Sequence, residues 1–238
     1  MSDITIDFTT EKPGQRMIRV IGLNRHSKTA IDKINRLRCE GVTASVEENA
    51  NMLFPKNDDY AVIFITDNQE CLPLIRTFHQ AGIVTIVIAS EEYEWDDRST
   101  DAFTTVPPEQ TAETVKVLLS PFRPETTNIS LSLLEWRYLL KDAGRFALYE
   151  AGCHRGENGI AEACELICLQ INGLKFDKML ISVTYNPENP VTLKEIEPLN
   201  NLFATIPEDI STRFALTGDK ELEKERLKIS VVVTGTVR

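Results

Sequence analysis

A chain of 238 residues with 26 Lys and Arg against 36 Asp and Glu carries a formal net charge of −10. Such a surface repels polyanions, which sets aside nucleic acid and anionic membranes as principal partners. The length is enough to bury a large core without disulfide or metal staples. Five cysteines, Cys39, Cys71, Cys153, Cys164 and Cys168, are odd in number and lack C-x-x-C spacing. They read as reduced thiols, and with no basic-then-apolar leader and no run of about 18 apolar residues the expectation is a soluble cytoplasmic chain.

After a polar lead-in over residues 1–16, the stretch 17–22 (MIRVIG) is strand-like. Residues 28–38 are helix-like, with Ile31, Ile34 and Leu37 on one face. A short strand is expected at 43–46. The runs YAVIFIT at 60–66 and IVTIVIA at 83–89 have the continuous apolar character of strands buried on both faces of a parallel sheet, with a helix over 71–81 between them. This alternation argues a Rossmann-like α/β first half. A weak strand at 103–106 and a helix at 111–119 follow. The stretch SPFRPETTN at 120–128, with two prolines and no periodicity, is the expected domain boundary.

Beyond it come a helix over 131–142 and a strand over 144–151. A helix over 159–171 has apolar Ile160, Ala163, Cys164, Ile167, Cys168 and Ile171 at i, i+3, i+4, i+7, i+8 and i+11. A strand is expected at 178–183. The series Thr192-Leu-Lys-Glu195 is a capping box opening a helix that Pro198 must kink or restart. The segments 213–216 and 226–236 are read as an adjacent strand pair joined by the charged loop GDKELEKE, making the second half a mixed sheet with helices on one face.

The sharpest local motif is Gly22-Leu23-Asn24-Arg25-His26-Ser27-Lys28-Thr29 between the first strand and helix. It misses the phosphate-loop pattern G-x-x-x-x-G-K-[ST] by one residue, Ser27 standing in place of glycine. Asp67, ending the apolar run VIFITD, would be the matching magnesium carboxylate. The competing and preferred reading is an ordinary strand-to-helix turn with Ser27 as N-cap. Arg25, Lys28 and Arg155 are candidates for a small anion pocket, and Trp95 for an interaction anchor. His26, His79 and His154 are too scattered for a metal site. The acidic runs EEYEWDD and DKELEKE read as solvated loops.

The stretch AGRFALYEAGCHRGENGIAEACELIC at 143–168 resembles the start of the C-terminal domain of FtsZ, the bacterial relative of tubulin. Gly156-Glu157-Asn158 and Ala161-Glu162-Ala163 stand where that family has its G-E-N turn and alanine-rich helix. The remainder is similar down to a final V-x-V-x-x-T-G-like strand, and the first half follows the order of the FtsZ nucleotide domain. The resemblance implies a Rossmann-like nucleotide domain over 17–125 and an α+β, mixed-sheet C-terminal-like domain over 126–238. It also implies a long central helix, which the short span after Ser90 would cut down.

Each loop that nucleotide turnover needs in that family departs from its pattern. The first keeps only Gly22. The glycine-rich signature after the third strand is replaced by Asp67-Asn68-Gln69-Glu70-Cys71-Leu72-Pro73, whose carboxylates repel phosphate. The catalytic loop aligns with Ser130-Leu131-Ser132-Leu133-Leu134-Glu135, leaving Glu135 as its one carboxylate. The expectation is therefore a pseudo-GTPase without cofactor, metal or catalytic residues, acting through a protein partner or head-to-tail self-association. The alternative is a nucleotide-binding protein or NTPase, with GTP held at a divergent site of Gly22, Asn24, Arg25, Ser27, Lys28, Thr29 and Asp67.

Overall fold

The computed structural model describes residues 17–24, 27–47, 49, 52–67, 69–90, 99–123, 131–156 and 158–235. Trp95 and the EEYEWDD run lie outside the described residues, as do Arg25 and His26. In chain order the first half forms β1 (Met17–Gly22), α1 (Lys28–Arg36), β2 (Val42–Val46), β3 (Asp59–Thr66), α2 (Leu72–Gln80), β4 (Val84–Ala89), β5 (Ala102–Thr105) and α3 (Thr111–Leu118). The second half forms α4 (Leu133–Leu140), β6 (Gly144–His154), α5 (Gly159–Ile171), β7 (Lys178–Tyr185), α6 (Leu193–Ile196), α7 (Leu199–Thr205), β8 (Ser211–Gly218) and β9 (Arg226–Thr234). The helix break at Pro198 falls where a ring lacking N–H forces it, with Pro198 itself at the start of α7.

All nine strands join one sheet in the order β2-β1-β3-β4-β5-β6-β9-β7-β8. The first half is wholly parallel, as the unbroken apolar runs of β3 and β4 require, and both strands are buried along almost their whole length. The halves meet where β5 pairs β6 through only Ala102↔Gly144 and Phe103↔Arg145. The expected boundary at 120–128 falls between α3 and α4, with 124–130 outside the described residues. The longest helix among the described residues is α5, at 13 residues, so no long helix joins the halves there.

One expectation is overturned. The last two strands are not neighbours: β9 lies between β6 and β7 and is antiparallel to both, while β8 pairs β7 in parallel at the sheet edge. The loop 219–225 therefore crosses over β7 instead of closing a hairpin. A hairpin would have left β7 and β6 to pair directly. Inserting β9 instead places Val231 and Val233 at the centre of an apolar face covered by α5 and α7.

That face comprises Met179, Ile181 and Val183 of β7 with Ile229, Val231 and Val233 of β9, packed under Ile160, Ala163, Ile167 and Leu202. The opposite face carries Leu180 and Val232, which join the main core of Val20, Ile63, Ile86, Leu118 and Trp136. Trp136 is fully buried, donates its indole N–H to the Leu118 carbonyl at 2.8 Å, and meets Phe122 edge-on at 5.6 Å.

Further along this second face the residues turn polar, and Ser182, Thr217 and Ser230 are buried there. A charged seam ties α3 to β8 and β9. Asp219 accepts an ion pair from Lys116 Nζ at 2.6 Å and from Arg123 at 3.2 Å, while Lys228 pairs with Glu113 and, at 3.0 Å, with Glu150. Burial alone would raise the Asp219 carboxyl, but Arg123 and Lys116 hold it well below its ordinary value. Burial alone would lower the Lys228 ammonium, and Glu150 and Glu113 reverse that. The expected solvated loop DKELEKE thus begins with a residue that is 3% exposed.

Candidate functional site

The carboxyl ends of parallel strands are where open α/β sheets place ligands. Here that edge is made by Gly22 at the end of β1 and Asp67 just past the end of β3, brought together because Gly22 registers with Ile65. Between β1 and α1 the turn closes on itself. Ser27 donates its N–H to Asn24 Oδ1 at 2.7 Å and its hydroxyl to the Asn24 carbonyl at 2.6 Å, and the Asn24 N–H reaches Ser27 Oγ at 3.4 Å. Asn24 and Ser27 thus act like the two ends of a capping box, three residues apart.

The structure corrects one detail of the turn reading. Ser27 precedes α1 but makes no side-chain cap bond to it. Its hydroxyl is directed backwards onto Asn24, and the residue is only 3% exposed. It packs directly over Gly22. A Cβ added there would lie 2.5 Å from Ser27 Oγ and 2.6 Å from Ser27 Cβ. Because Ser27 is held by several hydrogen bonds, Gly22→Ala is expected to cost about 1–3 kcal/mol by overpacking. Urea denaturation checks this: Ser27→Gly in the same chain should recover most of the loss, and no recovery would place the strain elsewhere.

The neighbouring backbone donors are also engaged. Leu23 N–H goes to the Ile65 carbonyl at 2.9 Å, Glu47 N–H to Gly22 at 2.8 Å, and Ser90 N–H to Thr66 at 3.2 Å. These bonds extend the sheet past the strand ends. After β3 the chain makes a 3₁₀ turn at Gln69–Cys71 and enters α2 with Pro73 in the first turn, which removes one N–H from that terminus. Asp67 and Glu70 add carboxylates to the same end. The Cys71 thiol, bonded to Thr66 Oγ1 at 3.4 Å, is pushed up by burial with a further push from Asp67.

Of the other candidate residues, Lys28 and Thr29 are exposed on the first turn of α1. Arg155 does not join them. It follows β6, four strands away from β1 and so about 19 Å distant at ordinary strand spacing. There its guanidinium makes two 2.7 Å bonds to Glu195 and donates to the Asn189 and Pro190 carbonyls. These Arg155 bonds bring the Glu195 carboxyl down to about 2. The expected three-residue anion pocket is therefore not formed by Arg155, which anchors the start of α6 instead.

Glu135 lies at the opposite end of the sheet. The Leu133 carbonyl accepts a bond from Tyr60, at the start of β3, roughly 20 Å along that strand from Asp67. Glu135 closes a capping box with Ser132, accepting from its N–H at 3.0 Å and its hydroxyl at 2.9 Å, and faces Arg213 at 3.4 Å. The Ser132 N–H is the main reason its carboxyl is held below the ordinary range. The S-x-x-E spacing at 132–135 carried this cap openly, as T-x-x-E did at 192–195. Among the described residues no group of three or more His, Cys, Asp or Glu side chains is placed to hold a metal.

Solved structures share this architecture. CetZ1 from Haloferax volcanii, a GDP-bound monomer, superposes with a TM-score of 0.62 at 11% identity, covering 93% of this chain and 95% of that one. The chain has the FtsZ/tubulin fold. CetZ from Methanosaeta thermophila gives a TM-score of 0.58 at 10% identity over 90% of this chain and 85% of that one. TubZ from Bacillus thuringiensis serovar israelensis, as a GTPγS-form protofilament, gives 0.59 at 8% identity over 94% and 88%. No protein-family model and no curated protein sequence matches the chain. No helix among the described residues is long and apolar enough to cross a membrane.

Proposed function

We propose that this FtsZ/tubulin-fold chain has lost nucleotide binding and hydrolysis and works in the cytoplasm as a scaffold, assembly or regulatory interaction protein. The observation that carries the reading is the closed Asn24–Ser27 turn. A phosphate loop must aim several free N–H groups at its ligand, whereas these donors are directed at the turn's own oxygens. Pro73 in the α2 first turn and the carboxylates of Asp67 and Glu70 weigh the same way. Glu135, the single carboxylate in the catalytic-loop position, is engaged as a helix cap.

The GTPγS-form TubZ structure is a protofilament, and by analogy of fold a head-to-tail contact is proposed for this chain with itself or a partner. The separation of Glu135 from Gly22 and Asp67 to opposite sheet ends fits a contact that uses two different surfaces. The competing reading, a divergent nucleotide site of Gly22, Asn24, Arg25, Ser27, Lys28, Thr29 and Asp67, is favoured by the exposure of Lys28 and Thr29. Isothermal titration with GTP, GDP and ATP, with and without magnesium, separates the two. No binding tighter than about 100 µM, roughly −5.5 kcal/mol, is expected. Tighter binding that Lys28→Ala abolishes would overturn the proposal and establish the competing site.

A further inference from the structure

A wide cavity on the described surface lies far from the nucleotide edge. It is an open groove of about 1090 Å³ between α5 and α7, closed at its end by the segments leading into β7 and β8. Its floor is apolar: Ile171, Leu174, Phe176, Leu202, Ile206 and Ile210. Leu169 stands on its wall at 73% exposure, extending the apolar lining to the rim. The α5 wall from Ala161 to Ile171 is about 15 Å long, the span of roughly ten helical residues.

The electrostatics of the groove select the occupant. Glu165, Asp177 and Asp209 line it against a single Lys175, and none of the three carboxylates has an ion-pair partner among the described residues. Both α5 and α7 end at the groove, and neither carries a basic side chain in its last turn. The last turn of α5 therefore offers no cation to the negative end of its macrodipole, Lys175 lying beyond it in the groove, and α7 adds its own terminal carbonyls. A second copy of a chain with net charge −10 is a poor match for such a rim.

We infer that this groove is a docking site for an amphipathic, basic helix of a partner protein, its apolar stripe on the groove floor and its lysines or arginines over Glu165, Asp177, Asp209 and the helix ends. Helix-in-groove recognition of this kind reads anchors at i, i+3, i+4 and i+7. The site is independent of the nucleotide edge, so it stands whether or not that edge binds a ligand.

The test titrates the isotopically labelled full chain with a model peptide of about 15 residues, long enough to hold a helix, with leucine on one face and lysine elsewhere. Saturable binding is expected, with amide shifts centred on the ends of α5 and α7. A scrambled peptide of the same composition and a leucine–glutamate version should each bind at least about tenfold more weakly. Glu165→Lys with Asp209→Lys, both at exposed positions, should weaken binding at least about tenfold with an unchanged Tm, and Leu169→Ser should weaken it without altering its salt dependence. Absence of saturation up to about 1 mM, equal binding of the scrambled peptide, or shifts centred elsewhere would overturn the inference. A concentration-dependent dimer lost in the same variants would give the groove to a second copy and overturn it too.

Discussion

Asp219→Ala is expected to lower the unfolding free energy by about 3–5 kcal/mol, because it leaves the buried Arg123 without its counter-charge and Lys116 with only the exposed Glu221 at 3.9 Å. For a chain of this size that is a drop in Tm on the order of 10 °C. The direction with pH follows from the carboxyl being held below its ordinary value of 3.8 in the folded chain. Its contribution is complete above about pH 4 and is lost as pH falls toward the depressed folded value. Urea denaturation at pH 7 and pH 3 should therefore show the deficit of the Asp219→Ala variant shrinking in acid. A loss below about 1 kcal/mol at pH 7, or one that grows in acid, would contradict the seam as described.

The second large effect is expected at Asp101, which is 2% exposed where the two halves of the sheet join. Its carboxylate accepts from the Thr85 N–H at 2.8 Å and from the Asp142 N–H at 3.3 Å, and His79 Nδ1 lies 3.3 Å away. Its backbone bonds the Thr85 carbonyl through its N–H and accepts from the Gly144 N–H at 2.9 Å. Asp101→Ala should cost about 2–5 kcal/mol by orphaning two backbone donors, and Asp101→Asn less, since an amide oxygen still accepts. Hydrogen exchange distinguishes a local pin from a general loss. The Gly144 and Asp142 amides should exchange earlier than those of β3, because β5 and β6 share only two residue pairs. Uniform acceleration throughout the sheet would place Asp101 outside the junction's weak point.

Much of the architecture could be read residue by residue. The unbroken apolar runs at 60–66 and 83–89 could belong only to strands covered on both faces, and the i, i+3, i+4 stripe of 159–171 only to a helix on a sheet. Pro198 announced the break between α6 and α7. The polar positions Ser182, Thr217 and Ser230 also alternate with apolar ones along their strands. That period-two pattern puts them on one face of the sheet, where the structure buries them.

The candidate site was less legible. Asn24 and Ser27 stand three apart like a cap and its partner, but their reciprocal bonds depend on the backbone of two intervening residues. Ser132 and Glu135 carried a capping spacing that also fitted a catalytic loop, and the two readings differ only in where the carboxylate ends up. Arg155 looked available for an anion because its partner, Glu195, is 40 residues away.

Element types and the parallel character of the first half were thus set by local composition and period, which act through neighbours three or four residues apart. Strand order beyond β6, the burial of Asp219 and the α5–α7 groove were decided only by packing. Lys228 and Glu113 are 115 residues apart, and no local rule links such positions until the sheet has closed around them. At that distance the cost of leaving a charge or an apolar edge uncovered, summed over the whole chain, selects the partner.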